Sequence, residues 1–167
     1  MIRTPTVNLR DTRMKAKSGG FTLIELMITV VVIAILASIA LPSYRQYVLR
    51  SHRVEAKTAL LNVAAEQEKF YLQRNRYAND GELVDTKADG GLGFTRSTEN
   101  GWYTLTLDPD DDANPQAWTI EAKGSGTQLD DKRCKYFSLD SVGARRAGPN
   151  VDGSGITDET SLECWGK

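Results

Sequence analysis

The chain has 167 residues, a mean hydropathy of −0.40 and a formal charge of −1, room for one domain with appendages. The near-neutral sum hides a split: residues 1–20 carry five basic and one acidic residue, whereas after residue 73 there are 11 basic and 17 acidic residues. An acidic C-terminal half is a poor match for a phosphate backbone, and two cysteines with one histidine cannot build a four-ligand zinc site.

Residues 1–20 read as a targeting segment. A secretory signal places its small-residue cleavage site after an apolar core. Here Gly19-Gly20 comes before the apolar run, so cleavage after Gly20 keeps the run and makes Phe21 the new amino terminus. From Phe21 to Leu41 nearly every residue is apolar, enough for a helix of about 30 Å, the thickness of a bilayer core. Glu25 interrupts it, at about 2.5–3.5 kcal/mol on insertion scales. The basic residues before the run favour a cytoplasmic N-terminus. Arg45, Arg50 and Arg53 weaken that bias without reversing it. The rest of the chain then lies outside the cytoplasm, where Cys134 and Cys164 are expected to form a disulfide. Two buried free thiols are the alternative.

Pro42 ends the apolar run and removes one helix hydrogen bond. The helical pattern then resumes. Val54, Ala56, Leu60, Leu61, Ala64, Ala65, Tyr71 and Leu72 fall on one broad side, with Glu55, Thr58, Asn62, Glu66 and Lys69 opposite. This predicts an amphipathic stem. After Arg74, "NRYANDGEL" and "KADGGLGF" carry turn signals. Residues 102–107, 118–122 and 134–139 read as short strands. The resulting fold class is α+β, with a helix covered by a small antiparallel sheet. Trp102, Tyr103, Trp118 and Phe137 are expected to pack the sheet on the stem.

Gly20 followed by "FTLIEL", the uninterrupted apolar run, Pro42 and the amphipathic continuation resemble a type IV prepilin. Residues 43–78 are most similar to the PilE-type minor pilins, as are the two cysteines and Cys164-Trp165. The similarity is strong over about residues 15–78, and the remainder supports it in outline.

The resemblance implies a leader at 1–20, a transmembrane and filament-core helix at 21–41, an amphipathic stem at 42–73 and a head at 74–167 with a C-terminal disulfide loop, 134–164. It implies cleavage between Gly20 and Phe21 by a prepilin peptidase and N-methylation of Phe21. Glu25 would pair with the charged terminus of a neighbouring subunit, because a lone ammonium in a dry filament core is costly. Its spacing from Phe21 also allows contact within one helix. Pro42 would be the helix break. Many helices of the family carry glycine where Ala34 stands. Alanine is favoured there by about 1 kcal/mol, so this helix should loosen less readily.

The implied partners are other pilins, the peptidase, the inner-membrane pilus assembly machinery and, before assembly, membrane lipid. The implied location is the inner membrane, single-pass with a periplasmic head, and then an extracellular pilus. No cofactor, metal or enzymatic activity is expected. The aspartates of "DPDDDANP" (108–115) alternate as an EF-hand loop begins, but Ala113 stands at the required glycine. A solvated turn is the preferred reading. The loop 150–159 reads as a Gly-rich surface segment. His52, with no nucleophile or orienting acid nearby in sequence, is expected to be a solvated or interface histidine. Two alternatives stay open. One is a pseudopilin of a type II secretion system, whose heads often use calcium instead of a C-terminal disulfide. The other is a DNA-receptor minor pilin, which the acidic head disfavours despite a basic strip at Arg145-Arg146.

Overall fold

A computed structural model describes residues 20–166. Residues 1–19, and with them most of the expected leader, lie outside the described residues. The chain divides into two units, Met1–Ala40 and Leu41–Lys167. Helix α1, Leu23–Arg74, contributes to both and continues through Pro42.

In the first unit the helix starts on a cap. Thr22 Oγ1 accepts from Glu25 N at 3.2 Å, and Leu26 N donates to Thr22 O. Further along the apolar run, Thr29 and Ser38 turn their hydroxyls back on the helix: Thr29 to Leu26 O at 2.8 Å and Ser38 to Ile35 O at 2.7 Å. Satisfied this way, they bring no unpaired donor into a hydrocarbon environment.

The second unit is built on the rest of α1. Helix α2 is Asp80–Val84. Strands β1 (Tyr103–Pro109), β2 (Trp118–Gly124), β3 (Tyr136–Asp140) and β4 (Arg145–Gly148) form an antiparallel meander in that order. A 3-10 turn, Gly126–Asp130, joins β2 to the approach to β3, and α3 (Asp158–Trp165) follows β4. Alternation sets the inner face. Leu105 pairs with Ala122 and Leu107 with Ile120, and Phe137 and Leu139 continue the layer on β3. Leu60 and Val63 of α1 are fully buried in the same core. Each such side chain contributes about 1.5–3 kcal/mol through burial. The α+β expectation holds.

The stem face needs correction. The buried stripe is Leu49, His52, Arg53, Ala56, Leu60, Val63, Gln67 and Phe70. Val54, Leu61 and Leu72, expected inside, are exposed. Gln67 is buried because it meets a backbone partner beyond the end of α1. Its Oε1 accepts from Ala78 N at 2.8 Å and its Nε2 donates to Ala78 O at 3.1 Å. That pairing removes the cost of burying an amide.

Three short elements escaped the sequence reading. Helix α2 lies within a stretch read as a turn; Asn79 and Glu82 form a reciprocal capping box. Helix α3 starts on a box made by Thr157 and Thr160. Strand β4 has no apolar alternation. Its Ala147 N donates to Ser161 Oγ at 3.1 Å, and its carbonyl accepts from Thr160 Oγ1 at 3.0 Å. The β1–β2 connection is the expected solvated turn. Asp110 Oδ1 accepts from Gln116 N and Ala117 N, and those backbone bonds hold its carboxyl below the usual range.

Cys134 and Cys164 are disulfide-bonded and buried, tying the approach to β3 to α3. Cys134→Ser or Cys164→Ser should each destabilise the second unit. For a separation of 30 residues the chain-entropy model gives about 3.5 kcal/mol. Denaturant melts of the oxidised protein and both variants check this, and the double variant should be no worse than either single one.

The segment between α1 and β1 is held by charge. Arg96 grips Asp80, and Arg76 reaches Glu82 at 2.6 and 2.8 Å. The Arg96 guanidinium holds Asp80 below the ordinary carboxylate value, and Arg76 does the same for Glu82. Folded-state values below the unfolded ones give stability that is complete above the unfolded value of about 4 and lost as pH falls through the folded value. Protection factors across 80–96, corrected for the intrinsic exchange rate at each pH, should therefore fall on acidification before those of β2 and β3.

Candidate assembly site

The predicted processing site sits at an open chain end of the described residues. A side chain at Gly20 would meet nothing within 4 Å, and Phe21 is 81% exposed. Gly20 and Phe21 both precede the first helical residue, Leu23. Glu25 occupies the third position of the helix behind its cap, Thr22. There a carboxylate faces the positive end of the macrodipole. The sequence reading missed this capping role, although Thr22-x-x-Glu25 is its usual signature. Glu25 is exposed, and no cation partner for it lies among the described residues.

From Phe21 to Leu41 every large apolar side chain is 49–81% exposed. The segment is long and apolar enough to cross a membrane, and none of that stretch is buried. A second uncovered set lies on the stem within the other unit: Tyr44, Tyr47, Val54, Leu61 and Leu72 are 43–86% exposed. Their spacings of three, seven and eleven residues place them along one helix face. The stem thus carries two stripes. The sequence reading merged members of both into one.

Beneath the stem lies a buried polar cluster. Arg53 donates to both oxygens of Asp131, from Nε at 2.7 Å and from a terminal nitrogen at 2.9 Å. Asp131 also accepts from Gln128 Nε2 at 3.1 Å and from the backbone N–H groups of Arg133 and Cys134. Gln128 Nε2 is also directed at Leu49 O, so its Oε1 faces His52 Nδ1 at 3.2 Å as the acceptor. That arrangement makes Nδ1 the protonated nitrogen of His52. The His52 ring stacks on Trp102 with centroids 3.3 Å apart and planes 12° apart. Of the two expectations for His52, solvated or interface, the solvated one is corrected: His52 is buried. Nearby, burial pushes the Tyr103 phenol up, with Asp131 adding to the effect. Trp102 serves the cluster, while Tyr103, Trp118 and Phe137 serve the core.

The basic strip spans the approach to β3 and β4. Arg133 pairs with Glu163, Arg146 pairs with Asp140, and Arg145 lies 5.3 Å over the Trp165 ring. Lys132 and Lys135 have no carboxylate partner among the described residues.

Comparison with known proteins adds the following. Residues 15–41 match the family described as the prokaryotic N-terminal methylation motif. Residues 42–138, more than half of the chain, match the family described as type IV minor pilin ComP, DNA uptake sequence receptor. A type IV major pilin protein PilA of Myxococcus xanthus is 42% identical over 71 residues, which is 42% of this chain and 32% of that protein. A fimbrial protein of Pseudomonas aeruginosa is 40% identical over 119 residues, covering 70% of this chain and 75% of that protein. A solved type IV pilin from Shewanella oneidensis aligns with a TM-score of 0.43 and 20% identity, over 62% of this chain and 96% of that one.

Asp131→Asn removes the charge that balances a buried guanidinium. Breaking one side of such a pair costs about 3–5 kcal/mol. The melting transition of the disulfide-intact protein should fall accordingly. Replacing both Arg53 and Asp131 with apolar residues of similar size should cost less than Asp131→Asn alone.

Proposed function

The chain belongs to the type IV pilin family, and we propose that it is made as a prepilin and works as a minor structural subunit of a pilus. A prepilin peptidase removes residues 1–20 between Gly20 and Phe21 and methylates the Phe21 amine. The 21–41 segment holds the protein in the inner membrane with the head in the periplasm. On assembly it enters the filament core beside other pilins. Glu25 neutralises the amine of a neighbouring subunit, and Pro42 marks where the helix can loosen. The protein then serves pilus-dependent motility or adhesion, extracellularly.

One observation carries this reading: the stretch that matches the methylation motif, residues 15–41, contains an apolar helix segment with no cover. In water that surface is unfavourable. Lipid and then a helical filament supply the two environments that remove it. The second apolar stripe on the stem supports the same reading, since one face covers the sheet and the other is left for a neighbour. A buried disulfide is the feature that favours a pilin over a pseudopilin of a type II secretion system.

A DNA-receptor pilin is the second reading. The match of residues 42–138 to a family described as a DNA uptake sequence receptor favours it. Lys132, Arg133, Lys135, Arg145 and Arg146, with Trp165 beside them, are the residues that would meet phosphate. Duplex binding that weakens with salt and on Lys132→Ala, Lys135→Ala and Arg145→Ala together would favour this reading. Binding that ignores the substitutions would reject that surface.

Mass spectrometry of sheared pili should find a protein beginning at methylated Phe21. Its absence from pili whose number is normal without the gene would overturn the structural reading. Glu25→Gln keeps a residue suited to the capping position but loses the charge. It should insert and be cleaved normally yet enter pili poorly. Wild-type incorporation would leave Glu25 as a helix cap alone. Leu61→Lys with Leu72→Lys should lower incorporation without shifting the melting transition, because neither side chain is in the core.

A further inference from the structure

Of the asparagines in the chain, only Asn100 is followed by glycine. The pair occupies an exposed turn in which Gly101 N donates to Thr98 O at 2.9 Å and Gly101 has φ +75°. Asn100 fastens this turn to the stem. Its backbone N–H donates to Glu55 Oε1 at 3.0 Å and its Nδ2 donates to Glu55 Oε2 at 2.8 Å. Ser125 Oγ holds Gly101 O at 2.6 Å from the other side. The next residue is Trp102, the ring stacked on His52.

An asparagine before glycine has a characteristic reactivity. The glycine nitrogen, with no side chain beside it, attacks the asparagine Cγ. A new N–Cγ bond closes a five-membered succinimide, and the side-chain nitrogen leaves as ammonia, taking up the proton lost by the glycine nitrogen. Water then opens the ring at either carbonyl, giving aspartate or isoaspartate. Water is the one co-reactant.

We propose that Asn100-Gly101 is a site of spontaneous deamidation that Glu55 holds in check, and that conversion there unlatches the turn from the stem. In the closed turn both reacting groups are engaged elsewhere. The amide lies against the Glu55 carboxylate, and the glycine N–H is given to Thr98 O. Attack requires both bonds to be released, so the rate follows local opening of the turn. After conversion, the donor that faced Glu55 is a carboxylate. Two like charges then meet where a hydrogen bond stood. The isoaspartate product also lengthens the backbone by one atom within a four-residue turn. Release of the turn frees the Trp102 end of the buried cluster. The step is irreversible, so it marks the age of a subunit. It stands or falls independently of the filament reading.

The test uses the full-length protein in detergent micelles at mildly alkaline pH, with peptide mapping by mass spectrometry and enzymatic labelling of isoaspartate. Peptides containing Asn62 and Asn150 serve as internal references. In the urea-unfolded chain Asn100 should convert fastest. In the folded protein it should convert about tenfold more slowly. Glu55→Gln and Glu55→Ala should each raise the folded rate several-fold while the disulfide and near-ultraviolet circular dichroism stay intact. Equal folded rates in wild type and Glu55→Gln, or no preference for Asn100 in the unfolded chain, would overturn the proposal. A second measurement does not depend on how those variants fold. Asn100→Asp should lower the melting temperature, and adding Glu55→Gln should restore part of the loss by giving the new carboxylate a donor. An unchanged melting temperature in Asn100→Asp would remove the unlatching step.

Discussion

The ion pair between Arg53 and Asp131 is the constraint around which the second unit is organised. Taking either charge out of water costs several kcal/mol, and attraction alone seldom returns it. Here the geometry does the rest. Asp131 receives five hydrogen bonds: two from Arg53, one from Gln128 and two from the backbone of Arg133 and Cys134. The carboxylate is nearly saturated, and the guanidinium donates in its preferred bidentate fashion. One residue of the stem thereby fixes the 3-10 turn, the approach to β3 and the first half-cystine together. The disulfide then carries that anchorage on to α3, and α3 closes the free edge of β4 through Thr160 and Ser161. Shifting α1 by one residue would put Val54 or His52 at Asp131, and neither can supply the fork.

The same fixed orientation of α1 decides what the stem offers outward. A helix whose buried face is Leu49, Ala56, Leu60, Val63, Gln67 and Phe70 must turn Val54, Leu61 and Leu72 away from the core. The polar cluster therefore sets the register of the outer stripe as well as the inner one. The Asn100 latch to Glu55 and the stack of Trp102 on His52 grip the same part of the helix. An error in any of these contacts would rotate the surface the subunit presents.

Much of this was legible in the sequence where the signal is local or periodic. The glycine pair before an apolar run, β1 and β2 by their alternation, the solvated loop at Asp110 and the cysteine pair each depend on neighbours in the chain. What was missed depends on distant partners. Arg53 looked like one more basic residue after the apolar run, and its carboxylate lies far along the chain at Asp131. His52 looked solvated because Gln128 and Trp102 are remote in sequence. Gln67 was assigned to neither face, and its burial depends on a backbone partner at Ala78. The burial of these polar residues among apolar ones blurred the helix period, and two stripes were read as one. Helices α2 and α3 were missed for another reason. They are too short for periodicity, and only their capping residues announce them. The candidate site divides the same way. Gly20, Phe21 and Glu25 are proposed from a motif, whereas the cap that Thr22 supplies to Glu25 is seen at the helix start.

The sheet edges limit how one head can touch another. The outward N–H groups of β1 are all occupied: Tyr103 donates to Thr98 Oγ1, Leu105 to Arg96 O and Leu107 to Asp80 Oδ1. Pro109 has no N–H to offer. At the other edge, Ala147 of β4 gives both backbone groups to α3 side chains. Edge strands left open invite pairing with another chain. With the β1 donors occupied and Ala147 of β4 engaged, strand addition is a poor route to contact between heads. Recognition falls instead to side chains, which can be charged, matched and separated again. A subunit proposed to pass from a membrane into a filament of pilins would gain from that arrangement. Its apolar helix can associate while its sheet does not.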